Sequence, residues 1–138
     1  MSSPPFDWSD FVETAEALAC ESASDAEFRS AVSRAYYAAF NKAKACHNDH
    51  AEKAGLAPLP QNGEAHFLVW NDFIRHGGNR NTTLIGEIGK RLRRKRRSAD
   101  YDEVFSGGPL DKAAREAVKD TKKVLSVLNR VAFKRPGR

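Results

Sequence analysis

The chain has 138 residues, of which 41% are hydrophobic and 30% charged, so its length allows one domain with a hydrophobic core but hardly two. No apolar stretch approaches the roughly 18 residues that span a bilayer, and the first residues lack the basic and apolar parts of a signal peptide. We therefore expect a complete, cytoplasmic protein, a single domain over residues 1–138, that makes no membrane contact.

The net charge of +5 is unevenly distributed along the chain. Six of the seven residues in the segment 91–97, called the basic run below, are Lys or Arg. Three more basic residues lie in the tail 134–138, so the rest of the chain has a net charge of −4. A protein that coats nucleic acid would be basic throughout. An anionic partner is therefore expected to bind locally.

Apolar residues recur at three- and four-residue steps in the first half of the chain, which predicts two helices. The first covers residues 7–21. The second begins after Ser24, because Ser24 and Glu27 form a capping-box sequence, and it ends within residues 48–52. Its apolar stripe is rich in alanine, so a partner helix can approach closely. Cys20 and Cys46 lie in these patterns and are predicted to be small buried thiols.

The second half of the chain predicts three more helices. A loop rich in Gly and Pro leads to a third helix over residues 64–76, which Gly77 ends. The fourth begins within residues 81–83 and includes the basic run to residue 99. Gly86 and Gly89 either weaken this helix or permit close packing. Pro109 begins the fifth helix, and the tail 134–138 is predicted to be disordered. The pattern predicts an all-α, antiparallel bundle of four to five helices.

Arg96 lies where the fourth helix predicts an apolar side chain. The stripe of this helix advances by three, four, four and three residues, through Ile85, Ile88, Leu92, Arg96 and Ala99. A buried guanidinium is costly unless it is paired, and Asp100 lies one turn later, within reach. Two interpretations stay open. Arg96 and Asp100 form a structural pair, or the guanidinium is held in a cleft or at a subunit interface to receive phosphate.

A second arginine, Arg34, is flanked by core positions of the second helix. Tyr37 lies on its face three residues later, directly after Tyr36. Two tyrosines close to an arginine fit core aromatic residues with polar tips. They also fit a hydrogen-bonded network or a platform on which bases stack.

Cys46, His47 and His50 raise the question of a metal site. Zinc usually takes four ligands, and no second pair in the sequence has the spacing to complete the set. We therefore interpret these residues as a polar helix end and predict neither a metal nor a cofactor.

Two segments, taken together, resemble a known family. They are SRAYYAAF at residues 33–40 and RRSADYD at residues 96–102. They resemble the S-R-x-Y-Y-x-x-F and R-x-x-A-D-Y motifs of the prokaryotic stand-alone group of the HEPN superfamily. His66 is similar to a histidine often found early in the third helix of that group. The resemblance covers residues 10–130.

The resemblance implies a HEPN-like helical bundle that forms a homodimer. It also implies links to RNA cleavage, nucleotide binding and toxin–antitoxin or defence systems, with a small nucleotidyltransferase as partner protein. The implied catalytic or polar centre comprises Arg96, Asp100, Tyr101 and His66. The implied RNA- or nucleotide-binding residues are Arg34, Tyr37, Arg93, Arg94 and Arg97.

Ribonuclease members of the family carry an R-x(4–6)-H motif, in which arginine stabilises the phosphorane charge and histidine performs acid–base catalysis without metal. Arg96 matches the arginine, but the histidine positions hold Tyr101, Asp102 and Glu103. Neither tyrosine nor a carboxylate of ordinary pKa replaces imidazole well near neutral pH. The sequence therefore argues against ribonuclease activity of the usual kind, unless His66 reaches the site from another helix.

Three hypotheses about function follow from the sequence. The first is a HEPN-like module that serves an RNA- or nucleotide-linked system. The second is a non-catalytic dimeric assembly or partner-binding protein, in which arginine and aspartate organise an interface. The third is non-specific nucleic-acid binding by the basic run alone, which predicts that any two of its arginines contribute equally.

Overall fold

The computed structural model describes residues 5–130, apart from the side chain of residue 54, and these residues form five helices and no strand. The helices are α1 (Asp10–Leu18), α2 (Asp25–Ala54), α3 (Glu64–His76), α4 (Arg80–Tyr101) and α5 (Leu110–Leu128). The predicted all-α bundle of four to five helices is confirmed. The predicted disordered tail, residues 134–138, lies outside the described residues.

Capping boxes fix the first residues of α2 and α4. The backbone N–H of Glu27 donates to Ser24 Oγ at 3.2 Å, and the N–H of Ser24 donates to Glu27 Oε1 at 2.9 Å. The predicted capping box is therefore confirmed. Asn79 and Thr82 form a second box, with the Thr82 N–H donating to Asn79 Oδ1 at 3.0 Å. This box starts α4 at Arg80, earlier than the predicted residues 81–83.

Other predicted boundaries were also wrong by a few residues, and α1 ends at Leu18 rather than at residue 21. The carboxylate of Asp7 accepts hydrogen bonds from Ser9, which holds residues 8–9 in a turn, so α1 begins at Asp10. The second helix continues to residue 54 because Gly55, with φ of 74°, supplies the left-handed conformation that ends it. The fourth helix continues to Tyr101, beyond the predicted residue 99.

The long helix α2 is the centre of the bundle and contacts all four other helices. Its inward face consists largely of alanine side chains with no exposed surface, namely Ala31, Ala35, Ala38, Ala39 and Ala43. Small side chains let neighbouring backbones approach, and Thr121 of α5 comes close enough to donate to the Ala35 carbonyl at 2.9 Å. The alanine-rich stripe therefore makes α2 the support for the other elements.

Two glycines bring α4 against α3. A Cβ at residue 86 would lie 2.6 Å from the Trp70 carbonyl oxygen, and one at residue 89 would overlap the Trp70 indole. Of the two roles predicted for Gly86 and Gly89, close packing is therefore the one the structure supports. The contact buries Trp70 completely and aligns the basic run beside α3.

The prediction of two buried thiols was half wrong. Cys20 is exposed because it follows the last turn of α1. Cys46 is partly buried in α2, and burial raises the pKa of its thiol to about 11. A thiol with that pKa is protonated at neutral pH and a poor nucleophile.

Candidate functional site

Arg96 is buried in the bundle, as the spacing of α4 predicts. Only 6% of the residue is exposed. Its guanidinium carbon lies 5.2 Å from the ring centre of Tyr36, 5.5 Å from Tyr37 and 6.0 Å from Tyr101. We call these three rings the tyrosine cage. Aromatic faces attract a cation at such distances, so the cage stabilises a charge that burial would otherwise disfavour.

The ion pair of Arg96 leaves part of the hydrogen-bonding capacity of its guanidinium unused. Its Nη1 lies 3.8 Å from Asp100 Oδ2, which is beyond hydrogen-bond distance. The same carboxylate oxygen accepts a hydrogen bond from Ser33 Oγ at 3.3 Å. Within residues 5–130, the buried Nε of Arg96 has no acceptor. The predicted pair with Asp100 therefore exists but leaves a buried donor unused.

His66 enters the same cluster from α3. Its Nδ1 lies 2.7 Å from the hydroxyl of Tyr36, and its ring stacks on Phe40 with centres 4.0 Å apart. Trp70 Nε1 donates to the Tyr36 oxygen at 3.2 Å. Because indole N–H is only a donor, the Tyr36 hydroxyl has its own hydrogen for Nδ1. This network assigns the remaining hydrogen of neutral His66 to Nε2.

The electrostatic surroundings keep His66 neutral. Burial lowers the pKa of its imidazole to about 4, and the charges of Arg96, Arg93 and Lys44 act in the same direction. Burial also raises the pKa of the Tyr36 hydroxyl to about 12. At neutral pH, His66 is therefore an uncharged group held by Tyr36, and its Nε2–H is a hydrogen-bond donor.

Three clefts lie along α4. One of about 260 Å³ is lined by Arg91, Arg94, Lys95, Ser106 and Gly107, and the other two contain predicted site residues. The small cleft has a volume of about 170 Å³ and is lined by His66, Phe67, Trp70, Lys90, Arg93, Arg94 and Arg97. The large cleft has a volume of about 460 Å³ and is lined by Arg94, Arg97, Ser98, Tyr101, Asp102 and Ser106. Arg94 and Arg97 line both clefts, and we call this pair the arginine ridge. The predicted binding arginines of α4 therefore lie together beside His66.

Not every basic residue of the run is available to a ligand. Arg91 Nη2 lies 3.1 Å from Asp120, and Lys95 Nζ lies 3.4 Å from Glu116, so α5 neutralises both. Arg94 and Arg97 are exposed and line both clefts. Within the basic run, Arg91 and Lys95 thus have acidic partners in α5, while the arginine ridge faces the clefts.

Arg34, a predicted binding residue, lies apart from the cluster around Arg96. It is exposed, and its guanidinium carbon lies 5.0 Å from the ring centre of Phe11 in α1. Tyr37, three residues later, contacts Arg96 and His66. The two residues therefore belong to different clusters, and a binding role for Arg34 stays a prediction.

Arg29 holds the C-terminal end of α4 and is not among the site residues predicted from the sequence. Its Nη1 donates to the carbonyls of Ala99 at 3.0 Å and Asp102 at 2.6 Å, and its Nη2 donates to Glu103 at 2.9 Å. A helix end leaves carbonyls without partners, and α4 lacks the glycine that commonly supplies a C-cap. The missing glycine was the signal in the sequence that another group must cap this helix end. Arg29 thereby fixes the segment that carries Tyr101.

The residues considered for a metal site have another role. His47 is completely buried, and its Nε2 lies 2.8 Å from Asp72 Oδ2, which ties α2 to α3. The interpretation as a polar helix end was therefore wrong about burial. No group of three or more potential ligands for a metal ion occurs within residues 5–130.

No family model, curated protein or solved structure matches the chain. In the part of the chain that the structure describes, no helix is long and apolar enough to cross a membrane. Function must therefore be inferred from the side chains of the site itself.

Proposed function

We propose that the protein is a HEPN-like helical module that binds phosphate groups of RNA or nucleotides through Arg96. The observation that supports this proposal is the unused Nε–H of Arg96 inside the tyrosine cage. A buried donor without an acceptor costs about 1–3 kcal/mol, and a phosphate oxygen is an acceptor of the right charge. Tyr101, 75% exposed, is the most exposed of the three cage rings, so we expect the phosphate to approach Arg96 on that side.

The neutral state of His66 favours binding over the usual ribonuclease chemistry. With Nδ1 engaged by Tyr36, His66 offers an N–H donor to a phosphate oxygen. A general acid or base needs a pKa closer to the working pH than about 4. We therefore expect no RNA cleavage that depends on His66. Loss of a metal-independent cleavage activity in His66→Gln would contradict this expectation.

The biological setting in this proposal comes from the resemblance of the two motifs. The protein acts in the cytoplasm, as a homodimer, in a toxin–antitoxin or defence system, with a small nucleotidyltransferase as its partner. Co-purification with the product of a neighbouring nucleotidyltransferase reading frame tests the setting. Failure to form a complex when the two are co-expressed would count against it.

The binding role is tested with Arg96→Met and a matched control, Arg91→Met. Both substitutions remove one arginine from the same helix, but Arg91 is exposed and paired with Asp120. Anisotropy of a labelled RNA and competition by ATP should show weaker binding for Arg96→Met at low and moderate salt. Equal weakening by both variants would instead support non-specific binding by the basic run.

A second candidate function is non-catalytic assembly or partner binding. Its support is an apolar surface at the end of α4, where Tyr101 is 75% exposed and Val104 is 82% exposed. Exposed apolar side chains close together mark contact surfaces. Light scattering of wild type and Val104→Asp tests this candidate. A monomeric wild type that binds no phosphate ligand and no partner protein would exclude both candidate functions.

A further inference from the structure

Two aromatic rings lie on opposite sides of the arginine ridge. Phe67 lines the small cleft and is 51% exposed, and Tyr101 lines the large cleft and is 75% exposed. One exposed aromatic ring is ordinary on a protein surface. Two rings flanking the same pair of arginines form the arrangement by which proteins bind single strands, with bases on the rings and phosphates on the cations.

The geometry of α4 aligns these groups. Lys90, Arg94, Arg97 and Tyr101 follow steps of four, three and four residues, so they share one stripe of the helix. At 1.5 Å per residue the stripe is about 16 Å long. Lys90 also lies 5.8 Å from the ring centre of Phe67, which joins the α3 ring to this stripe. The stripe and Phe67 therefore form one continuous surface.

The tyrosines that the sequence suggested as a stacking platform are occupied by the protein itself. Tyr36 is completely buried, and Tyr37 contacts both Arg96 and His66. A base cannot stack on a buried ring, and Tyr37 is only partly exposed. Stacking therefore falls to the exposed rings of Phe67 and Tyr101.

The charges of the large cleft and of the arginine ridge favour different parts of a nucleotide. The large cleft contains the carboxylate of Asp102 as well as the arginine ridge. A carboxylate repels phosphate but accepts hydrogen bonds from the amino and hydroxyl groups of a nucleoside. A volume of about 460 Å³ is within the range of small-molecule sites. The nucleoside thus fits the large cleft, and its phosphate fits the ridge.

We propose that the site binds a single-stranded nucleic acid across the arginine ridge, with one base stacked on Tyr101 and a neighbouring base on Phe67. This inference rests on the proposed phosphate binding and names its ligand. A duplex is excluded because the faces of its bases are already stacked on one another. A mononucleotide occupies one ring only and binds more weakly.

The test is binding of a labelled oligouridylate, and of the matching deoxyribose strand, to Phe67→Leu and Tyr101→Leu. Leucine keeps apolar surface but removes the aromatic face. Phe6→Leu is the matched control, since Phe6 is a similarly exposed phenylalanine that packs on Trp8 and Phe11. Each cleft variant should weaken binding by about tenfold, with an unchanged salt dependence because no phosphate contact is lost. Phe6→Leu should bind as wild type.

The controls separate failure of this inference from failure of the proposed function. If Arg94→Gln and Arg96→Met weaken binding but both leucine cleft variants bind as wild type, phosphate binding stands and stacking is refuted. If no variant weakens binding, both proposals fail. Inorganic phosphate should displace the labelled strand equally well from wild type and from both leucine variants. A difference would mean that the substitutions disturb the phosphate site itself, which would overturn stacking as the cause of the lost affinity. If the leucine variants lose affinity for the RNA strand only, RNA is the ligand. If they lose affinity for both the RNA and the deoxyribose strand, the site recognises the stacking chemistry that the two strands share. Either result supports the inference.

Discussion

Replacing Arg96 by methionine tests whether the buried guanidinium exists for stability or for a ligand. Methionine keeps an unbranched side chain but removes the charge. The substitution loses three cation–aromatic contacts. Such contacts are worth about 2 kcal/mol when desolvated and about 0.5–1 kcal/mol when exposed, and the lower value applies because the distances of 5.2–6.0 Å approach the limit of the interaction. The ion pair with Asp100 is long, at 3.8 Å, and 28% of the Asp100 side chain is exposed, so the pair adds at most about 1 kcal/mol.

The same substitution also removes an unfavourable term. The Nε–H of Arg96 is buried without an acceptor, which costs about 1–3 kcal/mol. Asp100 keeps contact with water, with 28% of its side chain exposed, so the carboxylate left behind is not a buried charge. The favourable interactions lost and the unfavourable desolvation removed are of similar free energy. Arg96→Met should therefore change the free energy of unfolding by only about 1 kcal/mol.

Urea denaturation and ligand binding, measured on the same preparations, show whether Arg96 serves stability or ligand binding. The midpoint should shift little at constant slope, while affinity for RNA or ATP falls by about 10- to 100-fold, the value of one charge-assisted hydrogen bond. A loss of more than about 3 kcal/mol in stability, with unchanged affinity, would refute the reasoning. Recovery of that stability in Arg96→Met combined with Asp100→Asn would then identify a purely structural ion pair.

Three further predictions concern the surroundings of the site. Gly89→Ala should lower the free energy of unfolding by about 1–3 kcal/mol, because overlap with Trp70 outweighs the better helix propensity of alanine; thermal denaturation measures it. Arg29→Met should cost about 2–3 kcal/mol and speed hydrogen exchange near residues 98–103, because several carbonyls lose a charged donor. Stability of the wild type should fall as the pH drops from 6.5 towards about 4, because the unfolded chain takes up the His66 proton first. His66→Gln should remove that part of the fall.

Each of these predictions has an outcome that contradicts it. A Gly89→Ala protein as stable as wild type would mean that the two helices separate without cost. Unchanged exchange in Arg29→Met would mean that water replaces the guanidinium at the helix end. Identical pH profiles for wild type and His66→Gln between 6.5 and 4 would mean that His66 protonates without leaving Tyr36.

Local chemistry made much of the fold predictable. The capping box at Ser24 and Glu27 involves residues three positions apart, so sequence alone identifies it. Helical spacing likewise placed Arg96 on the buried stripe, because periodicity within a single helix decides which face is covered. Asn79 and Thr82 were missed since their box lacks the acidic or amide residue at the third position that the pattern requires.

Contacts between helices were not predictable in this way. Arg29 reaches carbonyls about seventy residues further along the chain, and the direction of its side chain depends on how α2 crosses α4. His66 of α3 similarly meets Tyr36 of α2, thirty residues earlier in the chain, and this contact depends on how α3 packs against α2. The sequence could name these residue types but not their partners, since helix spacing leaves the packing of one helix against another undetermined.

The division between the tyrosine cage and the exposed stripe of α4 has an evolutionary consequence. Two of the three cage rings come from α2, which contacts every other helix, so changes there disturb the whole bundle. Arg94 and Arg97 lie outside the core, where substitutions usually alter stability by no more than about 0.5 kcal/mol. Under the proposed function, ligand preference can therefore change through substitutions on this helix face with little effect on stability, whereas substitutions of the α2 rings would cost stability as well.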